Sequence, residues 1–158
     1  MTEYNKYIEA IHLCEKITQD FEELSQNILY SSGIEDLNAT QAILLYKISL
    51  YKGNISPKEI GSKRYYNGTN VTYNLNKLKN KGYLEEKKSD IDKRKKNINI
   101  TKKSDKIISL FDSHFNKQFD FLNKNMDFKL FLSELSNLDS SLNNYKKPSL
   151  KEIHETIF

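Results

Sequence analysis

Tryptophan is absent from this 158-residue sequence, cysteine occurs once and proline only twice. The single thiol, Cys14, excludes an intramolecular disulfide framework and any cysteine-rich zinc site. The three histidines, His12, His114 and His154, lie far apart without ligand spacing, so no metal site and no cofactor is implied. There is no Gly-rich phosphate loop, no G-x-S-x-G and no H-E-x-x-H, and no acid–base pair or nucleophile constellation stands out. An enzyme reading therefore has nothing to start from. No apolar run approaches the roughly 18 residues of a membrane span, and the opening MTEYNKYIEA lacks a basic segment followed by an apolar one. The expectation is a cytoplasmic protein with no membrane partner.

What the sequence does have is a localised positive charge. From Lys77 to Lys106 there are twelve Lys or Arg against five Asp or Glu, a net +7, whereas the whole chain carries +4. The segments on either side are slightly acidic. A basic field confined to one segment is the footprint expected for a polyanion partner, although a solvated Lys-rich face has the same composition.

Hydrophobic periodicity divides the rest of the chain. Tyr4, Tyr7, Ile8, Ile11, Cys14, Ile17, Phe21, Leu24 and Ile28 recur at gaps of three or four, which predicts a long amphipathic helix with a near-heptad stripe over 4–30. Gly33 breaks it. A second helix is expected from NATQAILLYKISLY, with Asn38 as N-cap and Gln41 as its capping-box partner. Ser56, Pro57 and Glu59 predict a short third helix with its own S-x-x-E box. A fourth, over 68–81, places Val71, Leu75 and Leu78 on one face and ends at Gly82. GYLEEKK and NINIT then read as two strands joined by a charged tip, residues 89–96, in a β-hairpin. Beyond residue 104, the stripes Ile107, Ile108, Phe111, His114, Phe115, Phe119, Leu122 and Phe128, Phe131, Leu135, Leu138, Leu142 predict two more helices, followed by a loosely packed tail.

Helix, helix, polar-faced helix and hairpin is the order of a winged helix-turn-helix. The fourth helix carries Thr69, Asn70, Thr72, Tyr73, Asn76 and Lys77 opposite its apolar face. Asn and Thr are weaker helix formers than the Glu, Lys or Ala of an ordinary surface helix. Their side chains suit base edges and phosphates, so Thr69, Asn70, Thr72, Tyr73 and Asn76 are candidates for the major groove and Lys77 for phosphate. Arg64 precedes this helix and is a candidate backbone contact. Arg64 and Arg94 are the only arginines, and a narrow minor groove favours Arg at a wing tip.

The wing DIDKRKKNINIT is similar to the D-x-R wing of the MarR-type dimeric winged-helix transcription regulators, with Asp92 and Arg94 at the matching places. The resemblance runs from about Tyr4 to Tyr145. DLNATQAILLYKI and RYYNGTNVTYNLNKL look like the branch called LdtR, linked to L,D-transpeptidase genes and cell-wall remodelling. The resemblance implies that Arg94 enters the minor groove with Asp92 orienting it, and that the helices at both ends form a homodimer on a pseudo-palindromic duplex; Lys93 and Lys95 are further candidate DNA contacts. Lys93 departs from a second Arg found in many relatives and lacks its bidentate geometry. Ser104 departs from a Gly that commonly ends the strand.

The expected fold class is thus mainly α with a small β-hairpin wing: an N-terminal dimerisation helix over 1–32, a winged helix-turn-helix lobe over 37–103, and C-terminal dimerisation helices with a tail over 104–158. The family also binds aromatic carboxylates or phenols in a cleft between dimer helices and lobe, which would make His12, Thr40, Leu44 and Tyr65 candidate effector contacts. Cys14 resembles the position of a peroxide-sensing thiol, which offers a redox-regulator variant. A winged-helix module for protein or RNA is the rival reading.

Overall fold

The computed structural model describes residues 2–52, 55–62, 71–88, 94 and 96–145. Among the described residues six helices and one hairpin follow one another: α1 (Glu3–Ser31), α2 (Ala39–Ser49), α3 (Pro57–Ser62), α4 (Val71–Asn80), β1 (Leu84–Lys88), β2 (Lys96–Ile100), α5 (Lys102–Leu122) and α6 (Phe128–Asn144). The chain divides into two compact units, Met1–His114 and Phe115–Phe158, with the boundary inside α5.

The first unit holds the core. Ile28 and Leu29 from the end of α1, Ala42, Leu44, Leu45 and Ile48 of α2, Ile60 of α3, Leu75 and Leu78 of α4, Ile98 of β2, and Ile107 and Phe111 of α5 are all buried. Removal of this apolar surface from water is what holds short helices such as α3 in place, since six residues cannot form a stable helix alone. The hairpin pairs antiparallel from Leu84 opposite Ile100 to Lys88 opposite Lys96; of the predicted tip, Lys96 belongs to β2 instead, Arg94 is in a turn, and residues 89–93 and 95 lie outside the described residues. Ile55 adds an isolated bridge to Ile98, whose N–H donates to the Ile55 carbonyl at 2.9 Å. That contact ties the start of α3 to the wing.

Local signals explain most of the helix ends. Gly33 and Gly82 have φ of +66° and +76°, and both sit just past a helix end. At each, the glycine N–H reaches back three residues and the next N–H reaches back five: Gly33 to Tyr30 and Ile34 to Leu29, Gly82 to Lys79 and Tyr83 to Leu78. These are Schellman closures, which satisfy carbonyls left open at the helix end. At the start of α3 the predicted capping box is complete: the Glu59 N–H donates to Ser56 Oγ at 3.2 Å and the Ser56 N–H to Glu59 Oε2 at 2.8 Å.

The box predicted at α2 is only half formed. Asn38 Oδ1 accepts from the Gln41 N–H at 2.9 Å as an N-cap should, but the Gln41 side chain does not return to Asn38. It is buried and donates to Asn74 instead. Pairing two buried amides takes precedence over a surface cap, because a buried polar group without a partner is costly.

The second unit contains the rest of α5 and α6. Phe128 packs against Phe119 with ring centroids 5.2 Å apart and edge-on to Phe131 at 6.4 Å. Asp127 caps α6 by accepting from the Lys129 and Leu130 N–H groups. No residue of α6 is buried, and Leu130, Phe131, Leu132, Leu135 and Leu142 are all exposed. The first half of α1 is equally bare, with Tyr4, Tyr7, Leu13 and Ile17 exposed.

Candidate nucleic-acid interface

Helix α4 separates its residues as the sequence pattern requires. Asn74, Leu75 and Leu78 are buried on one side, while Thr72, Tyr73, Asn76, Lys77 and Asn80 are exposed on the other. Thr72, Tyr73, Asn76 and Lys77 therefore form one contiguous polar surface, as expected from positions spaced by one, three and four residues. The Lys77 ammonium lies 5.4 Å from the Tyr73 ring centroid, an attraction that limits where the charge can swing. Asn80, absent from the sequence candidates, extends the same surface by one turn; its spacing of four from Asn76 is the signal that would have found it.

Arg94 is exposed in the turn between the strands. Arg64, Tyr65, Thr69, Asn70, Asp92, Lys93 and Lys95 lie outside the described residues. Of the weaker candidates, His12 and Cys14 are exposed on α1, Thr40 is half-buried and Leu44 is buried in the α2 core. The Cys14 carbonyl accepts from Thr18 Oγ1 at 2.9 Å, an ordinary helix contact. Among the described residues no group of His, Cys, Asp or Glu could hold a metal ion.

Much of the central positive charge is already engaged within the fold. Glu86 on β1 accepts from Lys79 of α4 at 2.6 Å and from Lys96 of β2 at 3.2 Å. The hydrogen bond from Lys79, with that from Lys96, holds the Glu86 carboxyl below the usual carboxylate range. This acid pins the wing to the end of α4. Lys87 pairs with Glu85 at 2.7 Å, an exposed contact of small energetic weight.

A second junction lies just past the same C-terminal end of α4. Asp36, in the loop after α1, accepts from the Tyr83 hydroxyl at 2.8 Å and from Lys103 at 3.2 Å. Its backbone carbonyl accepts from Lys81. Burial alone would push the Asp36 carboxyl up, but the bonds from Tyr83 and Lys103 and the nearby lysine charges outweigh it and hold the carboxyl low. Burial, reinforced by the Asp36 carboxylate, raises the Tyr83 phenol in turn. Ser104, at the place of the expected Gly, is buried and donates to the Tyr83 carbonyl at 2.6 Å, so the hydroxyl gives the entry to α5 a fixed anchor. An open groove of about 390 Å³ beside this junction is lined by Gly33, Ile34, Asp36, Tyr83, Lys103 and Ile107 among others. None of His12, Thr40 and Leu44 lines it.

Elsewhere, Tyr46 of α2 donates to Asp112 of α5 at 2.8 Å and stacks on Phe111 with centroids 5.6 Å apart. Burial, with the Asp112 bond and charge, pushes the Tyr46 phenol up to about 12, so it remains a donor at neutral pH.

Residues 37–104 match the winged helix DNA-binding domain family. The chain has the winged-helix fold of the MarR-type regulators. Streptococcus pneumoniae FabT in complex with DNA superposes with a TM-score of 0.68 at 21% identity, over 89% of this chain and 99% of that one. The S. aureus MepR–DNA complex gives a TM-score of 0.67 at 19% identity, over 82% and 94%, and a MarR protein from Peptoclostridium difficile gives 0.67 at 18%, over 85% and 88%. No curated protein matches the sequence. Within this winged-helix lobe α3 and α4 are followed by the β1–β2 hairpin, and Thr72, Tyr73, Asn76 and Lys77 lie on the exposed face of the helix that precedes the hairpin. Among the described residues no helix is long and apolar enough to cross a membrane.

Proposed function

We propose that the protein is a homodimeric, sequence-specific DNA-binding transcription regulator. The observation that carries this reading is the exposed face of α4, where Thr72, Tyr73, Asn76 and Lys77 lie side by side, on the reading helix of a DNA-binding domain type. In it, Asn76 and Thr72 contact base edges, Lys77 contacts phosphate, and Arg94 at the wing reaches the minor groove. The DNA-bound FabT and MepR structures lend the same fold a duplex partner. The exposed apolar rows of α1 and α6 supply surfaces that a second copy of the chain would cover.

The finer reading extends the sequence resemblance. A small aromatic effector retunes binding, and the regulated genes include those of cell-wall remodelling. The lobe over 37–103 binds DNA, while 1–32 and 104–158 make the dimer.

The test is selection of duplexes from a random pool by the purified chain, with the mass of the bound complex determined. An enriched inverted repeat carrying two chains supports the reading. Binding without an enriched motif, or a preference for RNA, would overturn it in favour of a general polyanion-binding module.

A further inference from the structure

We infer that Asp36 is a positioning residue that fixes the angle of the reading helix against the helices entering and leaving the lobe, and so sets which half-site spacing the protein accepts. This rests on the DNA-binding reading above. Three elements separated in sequence meet at this one acid. It belongs to the loop that follows α1; Lys81 and Tyr83 belong to the C-terminal closure of α4; Lys103 belongs to the first turn of α5. Lys103 also donates to the Lys81 carbonyl at 2.9 Å and lies 4.1 Å from the Tyr83 ring centroid, so the α4 closure and the α5 start are held twice over.

The connection continues into the reading helix itself. Lys81 donates to Gln41 Oε1 at 3.3 Å, and Gln41 Nε2 donates at 3.3 Å to Asn74, the buried residue directly behind the exposed face of α4. An unbroken chain of polar contacts thus runs from the Asp36 backbone carbonyl, through Lys81 and Gln41, to the inner face of the helix, and the Asp36 carboxylate adds its charge at the loop end of that chain. Among the described contacts the Asp36 carboxylate is the one that Lys103 reaches, and its charge also acts on Lys81, whose own bond is to the Asp36 backbone carbonyl. Removing it leaves two ammonium groups drawn to neighbouring carbonyls with no negative charge between them, and their repulsion favours a changed approach of α4 to α5.

The acid and Lys103 are each about half exposed, with side-chain accessibilities of 48%, so the pair contributes little to global stability. What it does supply is direction. A bond at the C-terminal end of a ten-residue helix acts on the pose of the opposite end, where bases are read, and in a dimer two such poses have to match half-sites about one helical turn apart.

The experiment uses the full-length chain and the inverted repeat that it selects, rebuilt with spacers lengthened or shortened by one and two base pairs. Wild-type protein is expected to discriminate sharply among the spacers. Asp36→Ala is expected to bind the same half-site sequence while its discrimination falls by about tenfold, within the usual range for coupled sites. Tyr83→Phe keeps the buried ring and removes only the hydroxyl bond; it should move discrimination the same way by less, and circular dichroism checks that both variants are folded. Asp36→Glu, which retains the charge, should restore part of the wild-type pattern. Unchanged spacer discrimination in folded Asp36→Ala or Tyr83→Phe protein overturns the inference, as does an equal loss of affinity at every spacing. Failure of the wild type to select any repeat overturns the DNA-binding reading, and this inference with it.

Discussion

Asn74 and Asn76 are two positions apart on α4, yet the fold gives them opposite tasks, and replacing Asn74 separates them. Asn74 is 7% exposed and its Oδ1 accepts from Gln41 Nε2 at 3.3 Å; Gln41 is 6% exposed. Asn74→Ala strands the Gln41 donor in the interior, a cost of about 1–3 kcal/mol for a buried unsatisfied group. The bond is long, which favours the lower half of that range, and alanine's better helix propensity returns roughly 0.6 kcal/mol. A net loss of about 0.5–1.5 kcal/mol follows from these two contributions. Urea denaturation at neutral pH reads it as a lower midpoint. Adding Gln41→Met, which removes the stranded donor at similar volume, should recover part of the loss, with a coupling of at least about 0.5 kcal/mol. The selected DNA motif should stay the same, because Asn74 faces away from the exposed surface. Additive single and double variants would refute the buried-pair argument, and an altered base preference in Asn74→Ala would refute the assignment of faces.

Four further outcomes follow from the same geometry. Gly82→Ala meets no atom within 4 Å of a new Cβ but has to hold φ +76°, so chemical denaturation should show a loss of about 1–2 kcal/mol from backbone strain alone. Lys77→Ala should reduce the slope of log affinity against log salt by about one without changing the motif; an unchanged slope would remove Lys77 from the phosphate contacts. Arg94→Ala should weaken binding most at sites whose wing-facing segment is A·T-rich, and equal affinity at physiological salt would defeat the minor-groove contact. The Glu86 carboxyl is held below its ordinary 4.5 in the folded state, so its contribution is full above the unfolded value and is lost as the pH falls through the folded one. Acid unfolding of Glu86→Gln, followed below pH 4.5, should therefore be less steep than that of wild type; superimposable curves would contradict the clamp.

Local rules made the helix ends and the wing legible. Glycine past a helix end, the S-x-x-E box and the alternation of Ile98 and Ile100 each act within about five residues, so the sequence carries them directly. The two faces of α4 were equally readable, because burial of Leu75 and Leu78 forces Thr72, Tyr73 and Asn76 outward. Gln41 was misread for the opposite reason: its competing partner, Asn74, lies 33 residues away. Asn74 itself did carry a signal, since it falls three residues after Val71 and four before Leu78 on the apolar side. Asp36 carried none, as its partners are 45 to 67 residues distant. The long stripes of α1 and α6 predicted amphipathic helices correctly, but no stripe states what covers it.

The central claim is that the exposed face of α4 touches DNA. Single cysteines introduced on that helix in a Cys14→Ser background, probed with a selected duplex carrying a thiol-reactive base, test it most directly. Asn76→Cys is predicted to cross-link at one defined position in each half-site, while Asn74→Cys, on the buried side, does not. Equal cross-linking from both positions, or none from position 76 in protein that still binds the duplex, would contradict the account.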